Sequence, residues 1–98
     1  MGSNWSIQYG PYIQKQFEDY AEPIVKTTLK RIDKLRENPR LGKPLKGKAS
    51  EYNLRSLRVT TGQGEFRVIY QLHEKNTLLV VFIGTREEVY DRLDRWLD

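Results

Sequence analysis

The chain has 98 residues, 38% of them apolar and 31% charged, with no cysteine, a single histidine and a net charge of +4. This length suits one domain with one modest core. Without cysteine there are no disulfides, thiol catalysis or cysteine-held metal, and one histidine cannot build a metal cluster. No apolar run approaches the roughly 18 residues of a membrane span, and the start MGSNWSIQYG has neither a basic leader nor an apolar h-region, so a cytoplasmic protein without membrane contact is expected. Gly2-Ser3 reads as a possible cloning remnant.

In chain order, Trp5-Ser6-Ile7-Gln8-Tyr9 alternates apolar and polar residues and is expected to be a strand. Gly10-Pro11 breaks it, and Pro11 suits the first turn of a helix in which Ile13, Phe17 and Tyr20 keep helical spacing. Pro23 opens a second helix with Val25, Thr28 or Leu29, Ile32 and Leu35 as the buried stripe and Lys26, Lys30, Lys34 and Glu37 outward. Asn38-Pro39 ends it. RLGKPLKGKAS, rich in Gly, Pro and Lys, reads as a loop and not a strand. Its Lys43, Lys46 and Lys48 are candidate phosphate contacts, and so is Arg55 just beyond it.

Leu54 to Thr60 and Glu65 to Leu72 both alternate, so they form a hairpin around TTGQG. Both glycines are expected to supply positive φ, in a loop somewhat longer than the common short turn. If both apolar faces meet one core, Val59 pairs with Phe66 and Leu57 with Val68, which sets Arg58 across from Arg67. Two cations placed there cost stability, and they call for a carboxylate or an anionic partner. Glu65, Glu51 and the acidic C-terminal segment are the carboxylates at hand. Thr77 to Ile83 is apolar without alternation, as in a strand covered on both faces.

Thr85-Arg86-Glu87-Glu88 has capping-box spacing and starts a last helix, with Val89, Leu93, Trp96 and Leu97 turned toward the core. Arg86 in its first turn opposes the helix dipole, which weakens a purely structural role. Tyr90 lies four residues on, along the same side. His73 belongs in an exposed turn, and Tyr70 in the packing. The fold class is α+β, in the order β-α-α-β-β-β-α: an antiparallel sheet with two N-terminal helices on one face and a C-terminal helix. Residues 1–98 form a single domain.

Between Lys26 and Arg58 eleven Lys/Arg stand against Asp33, Glu37 and Glu51, a local balance of +8. Residues 1–25 and 86–98 each carry −2. A basic block of this kind suits nucleic acid or an acidic protein segment, or else it is a solvated face. Arg58, Arg67, Arg86 and Tyr90 gather toward one edge of the sheet, where cations would stabilise charge building on a phosphate. They would serve RNA cleavage by the ribose 2′-OH, a reaction that requires no metal.

These segments resemble a known family. NPRLGKPLKG after an amphipathic helix, then LRSLRV, EFRVIYQL and VVFIGTREEVY, is similar to the RelE/ParE superfamily of bacterial toxins from type II toxin–antitoxin modules. The resemblance runs from Trp5 to Tyr90, and FRVIY and IGTREEVY are its most specific parts. It implies the RelE-like fold and, in the RelE branch, a ribosome-dependent endoribonuclease that cuts mRNA, uses no cofactor and is neutralised by a cognate antitoxin. It also implies operator DNA as a partner through the antitoxin complex.

By this resemblance Arg67 is the transition-state arginine of the central strand, Arg86 the arginine after the last strand, Tyr90 the catalytic or stacking aromatic, and Arg58 a basic site residue. Thr85 stands where many members have histidine, and Ser56 where some have a basic residue. The alternatives within the fold are ParE-like inhibition of DNA gyrase and an inactive relative that binds antitoxin and operator DNA. An acidic antitoxin tail that folds on binding would complement the +8 block.

Overall fold

The β3–β4 hairpin pairs as the apolar faces demand: Leu57 lies opposite Val68, Val59 opposite Phe66 and Arg58 opposite Arg67. The structure, a computed structural model, describes residues 4–97, so Gly2-Ser3 lies outside the described residues. The elements are β1 (Ser6–Tyr9), α1 (Pro11–Asp19), α2 (Glu22–Asp33), β2 (Lys43–Pro44), β3 (Leu54–Thr61), β4 (Gly64–His73), β5 (Thr77–Gly84) and α3 (Arg86–Leu97). One five-stranded sheet runs in the order β1-β5-β4-β3-β2. The larger core lies between the sheet and α1/α2, and a smaller one lies under α3 on the opposite face.

The expected α+β class and helix placement hold, with two differences in the sheet. The pairing of β1 with β5 is parallel, from Ser6 opposite Thr77 to Tyr9 opposite Val80, so the sheet is not wholly antiparallel. Where β1 stops, the side chain of Gln16 continues the pairing: its Nε2 donates to the Ile83 carbonyl (2.6 Å) and its Oε1 accepts from the Ile83 N–H (2.8 Å).

The second difference is in RLGKPLKGKAS, which is not entirely loop. Lys43 pairs with Ser56 and Pro44 with Arg55, and a 3-10 turn follows over Gly47–Tyr52. Tertiary contact overrides the loop-like composition. The buried Tyr70 hydroxyl accepts from the Gly42 N–H (2.9 Å) and donates to the Pro39 carbonyl (2.7 Å). A Cβ at Gly42 would stand 2.8 Å from both the Ser56 carbonyl and the Tyr70 ring, so only glycine allows this approach.

The hairpin loop is short, with Thr61 opposite Gly64 and only two residues between them. Of its glycines only Gly64 has positive φ (124°); the expectation for Gly62 does not hold. Thr61 Oγ1 accepts from the Gln63 N–H (3.0 Å), which tightens the turn without a second left-handed residue.

The unalternating pattern of β5 has two causes. Both faces are covered, and a bulge shifts the register so that Val80 pairs with Tyr70 while Phe82 pairs with Ile69. Leu78, Val80 and Ile83 therefore join the larger core, and Phe82 faces α3. In α2 the buried row is Ile24, Thr28 and Ile32, one turn apart each time. Of the expected stripe, Thr28, Ile32 and Leu35 are buried, with Thr28 and not Leu29 filling the open position; Val25 is only half-buried, and Ile24 takes its place.

In α3 the row Val89, Leu93, Leu97 faces the sheet. Trp96, one residue off that row, is 50% exposed and rests against Tyr52 (6.2 Å), not in the core as expected. The capping box forms as read: the Thr85 N–H donates to Glu88 Oε1 (2.8 Å) and the Glu88 N–H to Thr85 Oγ1 (3.3 Å). Among the described residues, no helix is long and apolar enough to cross a membrane.

Candidate functional site: a cationic groove between the sheet and α3

The strand period that sends Leu57, Val59, Phe66 and Val68 into the larger core turns Ser56, Arg58 and Arg67 to the α3 side. There α3 covers only part of the sheet. A groove of about 630 Å³ remains between β2, β3, β4 and α3. Lys43, Lys46 and Lys48 line one wall, Tyr90 and Asp94 of α3 line the other, and Ser56 and Arg67 come from the sheet. Val89, Leu93 and Ala49 give it an apolar lining.

Two polar groups in this groove lack partners among the described residues. Arg67 Nε and Ser56 Oγ are buried and make no hydrogen bond. The Arg67 side chain is only 20% exposed, and its one ion pair is long, Nη2 to Glu65 Oε2 at 3.7 Å. The other oxygen of Glu65 meets Arg58 Nε at 3.5 Å. One carboxylate thus serves two guanidiniums, and an uncompensated cation stays beside a low-dielectric surface where its field is least screened.

Of the residues singled out in the sequence, the groove brings together Arg67, Tyr90, Lys43, Lys46 and Lys48. Arg58 does not line it and is tied to Arg67 through the shared Glu65. Arg86 sits over the Tyr90 ring, 5.7 Å from its centroid, and Tyr90 is exposed rather than part of the core. Arg55 is not in the groove. Its Nε donates to the Gly42 carbonyl (2.9 Å) and its Nη2 to the Arg40 carbonyl (3.1 Å), so it pins the approach to β2.

Sequence reasoning named Ser56 only as a departure from a basic position and passed over Asp94. Ser56 shares the parity of Arg58, and Asp94 lies one helical turn beyond Tyr90; both signals were present. His73 closes β4 opposite Thr77, at the far end from Arg67. Among the described residues, no group of three or more His, Asp or Glu side chains is arranged to hold a metal ion.

Comparison with known proteins agrees with this architecture. The family model described as ParE toxin of type II toxin–antitoxin system, parDE, matches residues 7–90. RelE of Escherichia coli, solved in the free state with two arginines replaced, superposes with a TM-score of 0.74 at 18% identity, over 94% of this chain and 97% of that one. The toxin–antitoxin complex RelBE2 from Mycobacterium tuberculosis gives 0.73 at 17% identity, over 88% and 95%. The archaeal RelE–RelB complex from Pyrococcus horikoshii gives 0.60 at 18%, over 85% and 96%. At these identities the structural likeness speaks for the fold. No curated protein sequence matches the chain. On the family match, which spans most of its length, the chain belongs to the ParE toxin family, within the RelE/ParE superfamily of type II toxin–antitoxin toxins.

Proposed function

We propose that this toxin is a ribosome-dependent endoribonuclease that cuts mRNA in the cytoplasm by attack of a ribose 2′-OH on the adjacent phosphorus. One observation carries the reading: Arg67 Nε and Ser56 Oγ lie buried and unpartnered in a groove walled by lysines. A buried polar group left unpaired costs about 1–3 kcal/mol. Both atoms are closed off as they stand, so a phosphate accepts first from the lysines of the groove and recovers that cost once the Arg67 fork and the Ser56 hydroxyl turn toward it, which suits a phosphodiester and not an apolar ligand.

In the reaction the O2′–P bond forms and the P–O5′ bond breaks. The products are a 2′,3′-cyclic phosphate and a 5′-hydroxyl. Negative charge gathers on the nonbridging oxygens, where Arg67 and the lysines oppose it. Arginine does not shuttle protons, because its pKa exceeds about 12. Among the lining residues Asp94 supplies the carboxylate that takes the 2′-OH proton. Tyr90 offers a stacking face beneath Arg86 and a hydroxyl that protonates the departing 5′-oxygen. The ribosomal A site presents the message, a cognate antitoxin covers the basic groove, and operator DNA is met through the antitoxin complex. RelE-type relatives in the solved complexes are paired with RelB.

A second reading, inhibition of DNA gyrase, is favoured by the family model, which is that of ParE toxins. Mapping of mRNA 5′ ends after brief induction separates the two. Codon-phased new ends on translated messages, absent with Arg67→Ala and Arg86→Ala, support the ribonuclease. Growth arrest with intact messages overturns it in favour of gyrase.

A further inference from the structure

We propose that the open edge of β3, where Lys30 and Arg31 of α2 and Lys34 just past its end meet Arg58, is a second phosphate-backbone site that holds RNA outside the cleavage groove. The proposal rests on the ribonuclease reading. A recess of about 530 Å³ there is lined by Thr27, Lys30, Arg31, Lys34, Arg58 and Thr60, with Val59 behind. Three of these residues, Lys30, Arg31 and Lys34, bring cations, none is acidic, and Arg58, whose guanidinium is shared with Glu65 on the α3 side, enters through its backbone.

Acidic residues of α2 are engaged elsewhere. Glu22 pairs with Lys26 (3.3 Å) and Asp33 with Arg36 (2.8 Å), and among the described residues no ion pair reaches Lys30, Arg31 or Lys34. Lys30 and Lys34, one turn apart, repel each other by a few tenths of a kcal/mol on an exposed helix.

The backbone decides which anion fits. β2 covers β3 only at Arg55 and Ser56, so the edge is open from Arg58 on. The Leu54 carbonyl points to that edge, where it accepts from the Leu45 N–H (3.0 Å), and the Arg58 carbonyl points the same way, where it accepts from Arg31 Nε (3.2 Å). In an antiparallel strand a residue's N–H and C=O share a direction, so the amides of Arg58 and Thr60 face the recess as well.

An acidic peptide adding as a strand would need the Arg58 carbonyl as an acceptor, and Arg31 has capped it. What remains around Arg58 is rich in donors: two amides, the outer guanidinium nitrogens of Arg31 and two ammonium groups stand against the Thr60 carbonyl. Phosphate oxygens accept and never donate, so a sugar–phosphate chain matches this excess of donors and of positive charge better than a peptide strand, which must donate as often as it accepts. Arg58 is also the cross-strand partner of Arg67, so RNA leaving the cleavage groove meets this edge next.

The test uses 2′-O-methyl RNAs of three and twelve nucleotides, uncleavable because the 2′-OH is blocked, titrated against the wild type, Arg67→Ala and the double variant Lys30→Gln/Lys34→Gln over a range of salt. In the double variant, affinity for the longer RNA should fall on the order of tenfold. Its log–log salt slope should shrink by about 1.4, at roughly 0.7 per lost single-strand phosphate contact. Trimer binding and the melting temperature should not change, and Arg67→Ala should weaken both RNAs. Undiminished binding of the longer RNA by the double variant overturns the second site alone. If the wild type binds neither RNA, the second site is overturned, while the ribosome-dependent cleavage is decided separately by the 5′-end mapping. A double variant that loses affinity only for an acidic antitoxin segment assigns the edge to a protein partner and overturns the proposal.

Discussion

Arg58 and Arg67 face one another across β3 and β4, and a single carboxylate, Glu65, reaches both: Oε1 lies 3.5 Å from Arg58 Nε and Oε2 3.7 Å from Arg67 Nη2. The Arg58 carbonyl points off the sheet toward Arg31, so the two arginines form the closer, non-hydrogen-bonded kind of pair, with Cα atoms about 4.5 Å apart. Like charges so placed repel. Glu65→Gln should therefore lower stability by about 0.5–1 kcal/mol in urea unfolding, since the bridges are partly exposed. Added salt should recover the loss, and so should Arg58→Gln in the same background. A loss insensitive to both would show that Glu65 acts through packing.

Arg67→Ala should separate activity from stability. The side chain is mostly buried, its Nε has no partner and its ion pair is long, so the fold gains little from it. The melting temperature should stay the same or rise slightly while cleavage falls about 10²–10³-fold, as when one charge-stabilising donor is removed from a transition state. Arg67→Lys should not restore the rate, because an ammonium cannot reproduce the planar fork. A collapse of the fold in Arg67→Ala would show the arginine to be structural.

Asp94→Asn and Tyr90→Phe divide the proton transfers. Both residues are exposed on α3, so either change should leave stability within about 0.5 kcal/mol. Loss of a positioned proton acceptor or donor should cost about 10²–10⁴ in single-turnover rate. Tyr90→Phe should still bind RNA through its ring, whereas Tyr90→Ala should lose binding too. Full activity in Asp94→Asn would remove that carboxylate from the mechanism.

Hairpin register and the α3 capping box were legible because each depends on neighbours close in sequence: one apolar parity per strand, and a threonine three residues before a glutamate. β2 was not, since Lys43 and Pro44 become a strand only because Tyr70, far along the chain, anchors Pro39 and Gly42. The parallel partner of β1 depends equally on a distant strand. Trp96 was misplaced because a helix pattern leaves the roll of α3 open within one residue. Among the site residues, parity and helix spacing gathered Arg67, Arg58 and Tyr90. They could not place Arg55, whose guanidinium is held by carbonyls of the preceding loop. Nor could a pattern that looks for cations and aromatics register Ser56, a small hydroxyl that matters because it is buried without a partner.

Tyr70 links the core to the lysine wall of the groove, and its ionisation provides a handle on that link. Burial raises its pKa above the ordinary tyrosine value of 10.0, against the opposing pull of the Gly42 N–H and Arg55. A raised folded-state pKa means that the stabilisation is fully present below about pH 10 and is lost as the pH climbs through the folded value. Urea unfolding from pH 7 to 11, with tyrosinate absorbance alongside, should show stability falling only above pH 10. Tyr70→Phe should cost about 1–3 kcal/mol at neutral pH, because the Pro39 carbonyl and the Gly42 N–H lose their partner. It should also shallow the alkaline fall without abolishing it, since burial raises Tyr9 and Tyr20 as well. Freed from Tyr70, β2 should carry Lys43 away from Arg67, so RNA affinity should drop with stability. An unchanged alkaline slope in Tyr70→Phe, or RNA binding untouched by the loss of this anchor, would break the link between the core and the groove.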